Sequence, residues 1–184
     1  MSTGSRKEPP QPGLAGVHAF ARPPERVVAY IGMGANLGDA RATLDAAARD
    51  IAALPGVHAV QRSPLYRSKP VDADGPDYVN GVLKAETILE AEDLLRALHG
   101  IENLHGRERP HRNAPRTLDL DLLLHGDEMR YTAFLTLPHP RMHQRAFVLR
   151  PLHDLEPGLR LPQGSLAALL AACGSQQLEP LPPE

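Results

Sequence analysis

Between residues 118 and 124 the chain alternates leucine with aspartate: Leu118-Asp119-Leu120-Asp121-Leu122-Leu123-Leu124. A period of two is the mark of a strand with one buried face, so Leu118, Leu120, Leu122 and Leu124 are expected on one side and Asp119 and Asp121 on the other. Aspartate is disfavoured in strands. Carboxylates at i and i+2 stand roughly 6–7 Å apart on the same face. Such a pair is costly unless a cation lies between or beside them. Hard oxygen donors with no cysteine nearby suit Mg²⁺ better than zinc.

The residues just upstream suggest a use for such an ion. Arg107, Arg109, Arg112 and Arg116 precede the acidic strand, with no lysine among them. The planar fork of arginine binds phosphate oxygens in pairs. Arginines leading into paired aspartates suit a Mg²⁺-bound polyphosphate. A solvated arginine loop beside two surface aspartates is the alternative reading of the same residues.

Length and charge bound the rest. With 184 residues the chain can bury a core as one domain, and its net charge of −2 provides no global field for nucleic acid or membrane. Attraction for phosphate must therefore be local. The lone Cys173 permits no internal disulfide and fits a reducing compartment. No apolar run approaches the ~20 residues of a membrane span, and the N-terminus lacks the apolar core of a secretory signal. A soluble, cytoplasmic protein is expected.

Residues 1–25 carry Pro9, Pro10, Pro12, Pro23 and Pro24 without periodicity and read as a disordered tail. A single domain is expected over 26–175, and a proline-rich, frayed end over 176–184. Val27 to Ile31 reads as a buried strand, and Gly32-Met33-Gly34-Ala35-Asn36-Leu37-Gly38 as a glycine turn, since its spacing misses the dinucleotide fingerprint. Asp39 is placed to cap a helix running to about Leu54, which Pro55-Gly56 stops. Val57 to Tyr66 reads as an edge strand, with a loop from Arg67 to Pro76 long enough to cover a site. Tyr78 to Thr87 is a third strand, with Tyr78 and Asn80 on one face. A second helix spans Ala91 to about His105, with Glu102 at its surface. A hairpin after Gly126 is expected to extend the sheet. His139, Arg141, His143 and Arg145 then crowd a polar loop, and Ser165 caps a last apolar helix.

Strand, helix, strand, strand, helix, strand is the order of an α+β, ferredoxin-like βαββαβ sandwich, here with an added hairpin and C-terminal helices. Its helix-free face, with Tyr78, Asn80, Asp119 and Asp121, is expected to be open to ligands. Such sheets serve many functions.

The pattern basic-x-small-Pro-Arg-x-x-Asp-aliphatic-Asp-aliphatic-aliphatic, filled from Arg112 to Leu123, resembles the signature of the 6-hydroxymethyl-7,8-dihydropterin pyrophosphokinases of folate synthesis. The likeness extends over roughly Val27 to Pro157. It includes a second motif, Pro138-His139-x-x-Met142-x-x-Arg145-x-Phe147. The resemblance implies transfer of pyrophosphate from ATP to the pterin hydroxymethyl group, with AMP leaving. It implies two Mg²⁺ held by Asp119 and Asp121, with Arg107 and Arg116 joining those carboxylates as the catalytic set. It implies ATP-binding positions at Arg107, Arg109, Arg112, Arg116, Leu122, Thr136, His139, Arg141 and Arg145. Pterin contacts are implied at Ser68, Val71, Tyr78, Asn80 and Phe147, with an asparagine amide matching the donor–acceptor edge of the ring. Ala35, Asn113 and Pro140 depart from residues frequent in that family, a serine and two aromatics. A monomer without nucleic-acid or membrane partners is expected. Two other classes share part of the pattern: a metal-dependent phosphodiesterase or nuclease using the same aspartates, and a non-catalytic RNA-binding module. The latter needs exposed aromatics for base stacking, and aromatics make up only 4% of the chain.

Overall fold

Val27–Ala35 forms β1, the strand on which the sheet is built. The computed structural model describes residues 24–70, 75–106 and 117–183. The expected N-terminal tail therefore lies outside the described residues up to position 23. Gly32 and Gly34 do not form a turn. They continue β1, because strands on both sides complete its ladder and outweigh the weak strand preference of glycine.

The chain then runs α1 (Ala40–Ala52), β2 (Val57–Arg62), β3 (Tyr66–Ser68), β4 (Tyr78–Thr87), α2 (Ala91–Leu104) and β5 (Asp119–His125). After β5 come β6 (Arg130–Tyr131), β7 (Thr136–Leu137), a 3-10 turn (Met142–Gln144), α3 (Ala146–Leu155), β8 (Arg160–Leu161), β9 (Gly164–Ser165), α4 (Leu166–Ala172) and β10 (Glu179–Pro180). The main sheet has the order β10-β3-β4-β1-β5, with β2 also paired to β4, and every pairing in it is antiparallel. Among the described residues the architecture is thus an antiparallel sheet with four α-helices.

The caps form as expected. Asp39 Oδ1 accepts from the Ala42 N–H at 3.0 Å, and Ser165 Oγ accepts from the Ala168 N–H at 3.2 Å. Each satisfies one of the donors that a helix start leaves without an internal partner. Gly56, at φ +88°, turns the chain out of α1.

Several expectations are corrected. The strand read over Val57 to Tyr66 breaks in two at Pro64, which has no N–H for the ladder. Ser63 Oγ accepts from the Val82 N–H at 2.9 Å across the break. The hairpin after Gly126 does not extend the sheet: β6 and β7 pair only with each other. The edge of β5 is met instead by the His139 N–H, bonded to the Leu123 carbonyl at 2.9 Å. Glu102 is not a surface acid; only 2% of it is exposed. Asp154 accepts from the Tyr66 hydroxyl and pairs with Arg150. Glu179–Pro180 pairs with β3, and the Leu181 N–H bonds the Leu65 carbonyl at 2.9 Å.

A bulge in β5 has the largest consequence. Ile31 faces Leu122 and Tyr30 faces Leu124, so Leu123 is the extra residue. Leu118, Leu120 and Leu122 join the core beneath α1 and α2, with Ile31, Leu44, Ile51, Leu94 and Leu98. Leu124, expected with them, falls on the opposite face. There Leu123 and Leu124 pack with Tyr30, Val82, Met142, Leu149 and Leu152. Each fully buried leucine of either core contributes about 1.5–3 kcal/mol. The second face is therefore not helix-free. α3 covers the part where Tyr30, Val82 and Leu124 lie, with α4 packed against α3, and the end carrying the acidic pair remains uncovered.

Candidate functional site

Two rows of residues cross the uncovered end of the sheet. In one, Asp119, Gly34 and Asn80 are register partners on β5, β1 and β4; in the next, Asp121, Gly32 and Val82 are. Partners across a ladder project to the same face. Both aspartates therefore stand on one face, as the alternation predicted, with glycines beside them. A Cβ built on Gly34 would lie 2.8 Å from Asn80 Oδ1, and one on Gly32 would touch Leu123 at 3.5 Å. The bare backbone of β1 makes a floor between the carboxylates and Asn80.

Above this floor is a cleft of about 1000 Å³. Asp119, Asp121, Gly32, Gly34 and Asn80 form its base, Ser68 and Tyr78 one wall, and Arg145 and Phe147 another. Asn80 Nδ2 lies 3.5 Å from Ser68 Oγ, and the Arg145 guanidinium sits 5.6 Å from the centre of the Phe147 ring. The side chain of Asn80 is thus steered by its neighbours, and the aromatic ring carries a cation on its face.

His139 is half-buried and not among the residues lining the cleft, yet Asp121 and Arg145 are close enough for their charges to act on it. Burial pushes its imidazole below the ordinary range; Asp121 opposes this, and Arg145 and Arg141 reinforce it. His139 Nδ1 accepts from the Arg141 N–H at 3.2 Å. A neutral ring accepting at Nδ1 has its proton at Nε2, which is then a donor. Arg141 is exposed, and Thr136 is half-buried on β7. The side chain of Leu122 lies in the core under α1 and α2, so only its backbone is available to a ligand. Arg107, Arg109, Arg112, Asn113, Arg116 and Val71 lie outside the described residues.

The cleft also has walls that sequence reasoning missed. Arg67 and Lys69 flank Ser68, and residues 175–179 close the side opposite β5. Nothing in the local pattern of residues 175–179 signals a site; their place follows from the pairing of β10 with β3. The glycines of β1 did carry a signal, because two of them at i and i+2 leave one strand face bare.

An acidic pair, an amide and a cation-bearing aromatic ring thus surround one cleft, on an antiparallel sheet clad by helices. Residues 30–157 match the family model described as 7,8-dihydro-6-hydroxymethylpterin-pyrophosphokinase (HPPK). The chain is 48% identical over 155 residues to the 2-amino-4-hydroxy-6-hydroxymethyldihydropteridine pyrophosphokinase of Pseudomonas aeruginosa, covering 83% of this chain and 96% of that protein. It is 45% identical over 141 residues to the protein so named from Haemophilus influenzae, covering 76% and 88%. Its fold is similar to that of wild-type Plasmodium falciparum HPPK-DHPS crystallised with pteroate, with a TM-score of 0.66 at 13% identity, over 82% of this chain and 43% of that one. The chain belongs to the HPPK family and is a pyrophosphokinase.

Among the described residues, no helix is long and apolar enough to cross a membrane.

Proposed function

We propose that this chain transfers pyrophosphate from ATP to the hydroxymethyl group of 6-hydroxymethyl-7,8-dihydropterin, giving the pterin diphosphate and AMP, in folate biosynthesis. The observation that carries this reading is the shared row: Asp119 and Asn80 flank Gly34 on one face of the sheet, with Asp121 one row away. A phosphate-handling end and an amide-reading end thus open into one cleft. The strand order and the two helices under the first core favour the ferredoxin-like βαββαβ description, over one domain of about residues 26–175.

Two carboxylates with oxygen chemistry around them fit Mg²⁺, which leaves most of its coordination to water and substrate phosphates. When bound, two Mg²⁺ would neutralise phosphate charge. Asp119 and Asp121, at the base of the cleft, would hold the ions. Arg145 offers its guanidinium to phosphate oxygens, and neutral His139 offers Nε2–H. Arg107 and Arg116 complete the neutralisation from the segment before β5, with Arg109, Arg112, Arg141, Thr136 and the Leu122 backbone as further contacts to ATP. Asn80 reads the amide-like edge of the pterin, Phe147 and Tyr78 pack on its ring, and Ser68 and Val71 border it. The hydroxymethyl oxygen attacks the β-phosphorus, the bond from that phosphorus to the α,β-bridging oxygen breaks, and AMP leaves. The hydroxyl proton passes to a carboxylate of the pair or to solvent. Positioning and charge neutralisation account for most of such a transfer. The protein acts as a cytoplasmic monomer, without nucleic acid or membrane.

The test is stoichiometric. AMP and pterin diphosphate should appear in step when ATP, Mg²⁺ and the pterin are supplied together. Nucleotide hydrolysis without the pterin would instead indicate a phosphodiesterase.

A further inference from the structure

The segment after α4 reaches back to the cleft although it lies beyond the 30–157 stretch that matches the family. The Gln176 side chain makes two bonds at once. Its Oε1 accepts from the Ala146 N–H at 2.9 Å, and its Nε2 donates to the Gln144 carbonyl at 2.9 Å. Arg145 is the residue between those two anchor points.

Ala146 begins α3, and Arg145, at the cap position, makes no side-chain capping bond. The first N–H groups of a helix have no partner within it. Gln176 therefore caps α3 from a distant part of the chain, a role that a local Ser, Asp or Asn usually fills. The clamp is itself held in place. Leu178 packs against the second core, Glu179–Pro180 pairs with Tyr66 and Arg67, and Arg41 donates to the Pro182 carbonyl at 2.6 Å. On the other side of the clamp, Arg145 lies over Phe147, and both line the cleft.

We propose that Gln176 is a positioning residue. Its amide fixes the backbone on both sides of Arg145 and so sets where the Arg145 guanidinium and the Phe147 ring stand in the cleft. The kinetic consequence rests on the reading of the cleft as a pterin and nucleotide site; the backbone clamp does not.

The amide is needed for both bonds. Glutamate keeps the acceptor for Ala146 and loses the donor for Gln144; alanine loses both. In the full-length chain, Gln176→Ala should lower kcat/KM about tenfold through misplacement of Arg145 and Phe147. Gln176→Glu should lose less. In an Arg145→Ala background, adding Gln176→Ala should cost clearly less than it does in the wild type, because only the placement of Phe147 is left to disturb. Independently of activity, hydrogen exchange at the Ala146 amide should speed up about tenfold in Gln176→Ala. The Val148 and Leu149 amides, bonded to the Arg145 carbonyl, should keep their protection. Losses that multiply in the double variant, or unchanged protection at Ala146, would overturn the proposal. Should the wild-type chain release no AMP from ATP and pterin, the functional reading fails, and the Ala146 exchange rate still decides the clamp.

Discussion

Gly34 and Asn80 face each other across β1 and β4, so close that a Cβ at position 34 would stand 2.8 Å from Asn80 Oδ1. Asn80 is 7% exposed and has little room to retreat. Gly34→Ala should therefore push the Asn80 amide out of line. Pterin affinity should fall about tenfold, the value of one well-placed hydrogen bond. Nucleotide affinity should change much less. Fluorescence titration with the pterin and with a non-hydrolysable ATP analogue checks this; equal losses for both ligands would mean that the floor, not the amide, was damaged.

Asp121→Ala should remove transfer while the fold survives. The side chain is half-buried and next but one to Asp119, so its removal relieves like-charge repulsion and creates no cavity in either core. Turnover should drop at least about a hundredfold. Thermal melts should show the wild type stabilised by Mg²⁺ with an ATP analogue and the variant not, since only a ligand that binds the folded state raises its midpoint. Near-normal Mg²⁺-dependent activity would refute the metal assignment.

Arg116→Ala should slow transfer more than it weakens pterin binding. An arginine that neutralises phosphate charge acts mainly in the transition state, and its loss should cost kcat about a hundredfold or more. The dissociation constant of the pterin should stay within about threefold. If pterin affinity carries the loss instead, the division of the cleft into a phosphate end and a pterin end is wrong.

Glu156 should make acid stability measurable away from the cleft. The hydrogen bond from Lys84 and then the Lys84 charge hold its carboxyl below the usual range, and the Tyr30 hydroxyl also donates to it, at 3.2 Å. The folded chain thus binds this proton less readily than the unfolded one. The contribution is present above the ordinary carboxylate range and is lost as pH falls through the folded value. Because the two side chains are 30% and 36% exposed, solvent screens the pair, and Glu156→Gln should lower Tm by at most about 3 °C at pH 7. The difference between the two proteins should shrink towards about pH 3. A gap that stays constant with pH would show that Glu156 acts through packing.

The elements legible in the sequence were those whose signal is local. The Leu–Asp alternation located β5 and both carboxylates, Asp39 and Ser165 announced their helices, and Tyr78 to Thr87 had the bounds that β4 has. The bulge at Leu123 was not legible, because nothing in Leu122-Leu123-Leu124 says which leucine the neighbouring strand will skip. The burial of Glu102 and the clamp of Gln176 were equally hidden, since each depends on residues brought together from far apart in the chain.

Periodicity, capping chemistry and motif spacing, all properties of residues a few positions apart, already specified the acidic strand, the helices and the family. Only the tertiary structure decided which part of the second face α3 would cover, that Gly32 and Gly34 would floor the cleft rather than turn the chain, and that residues 175–179 would wall it. Those outcomes depend on the pairing of distant strands and on the volume left between packed layers, and no short stretch of residues encodes either.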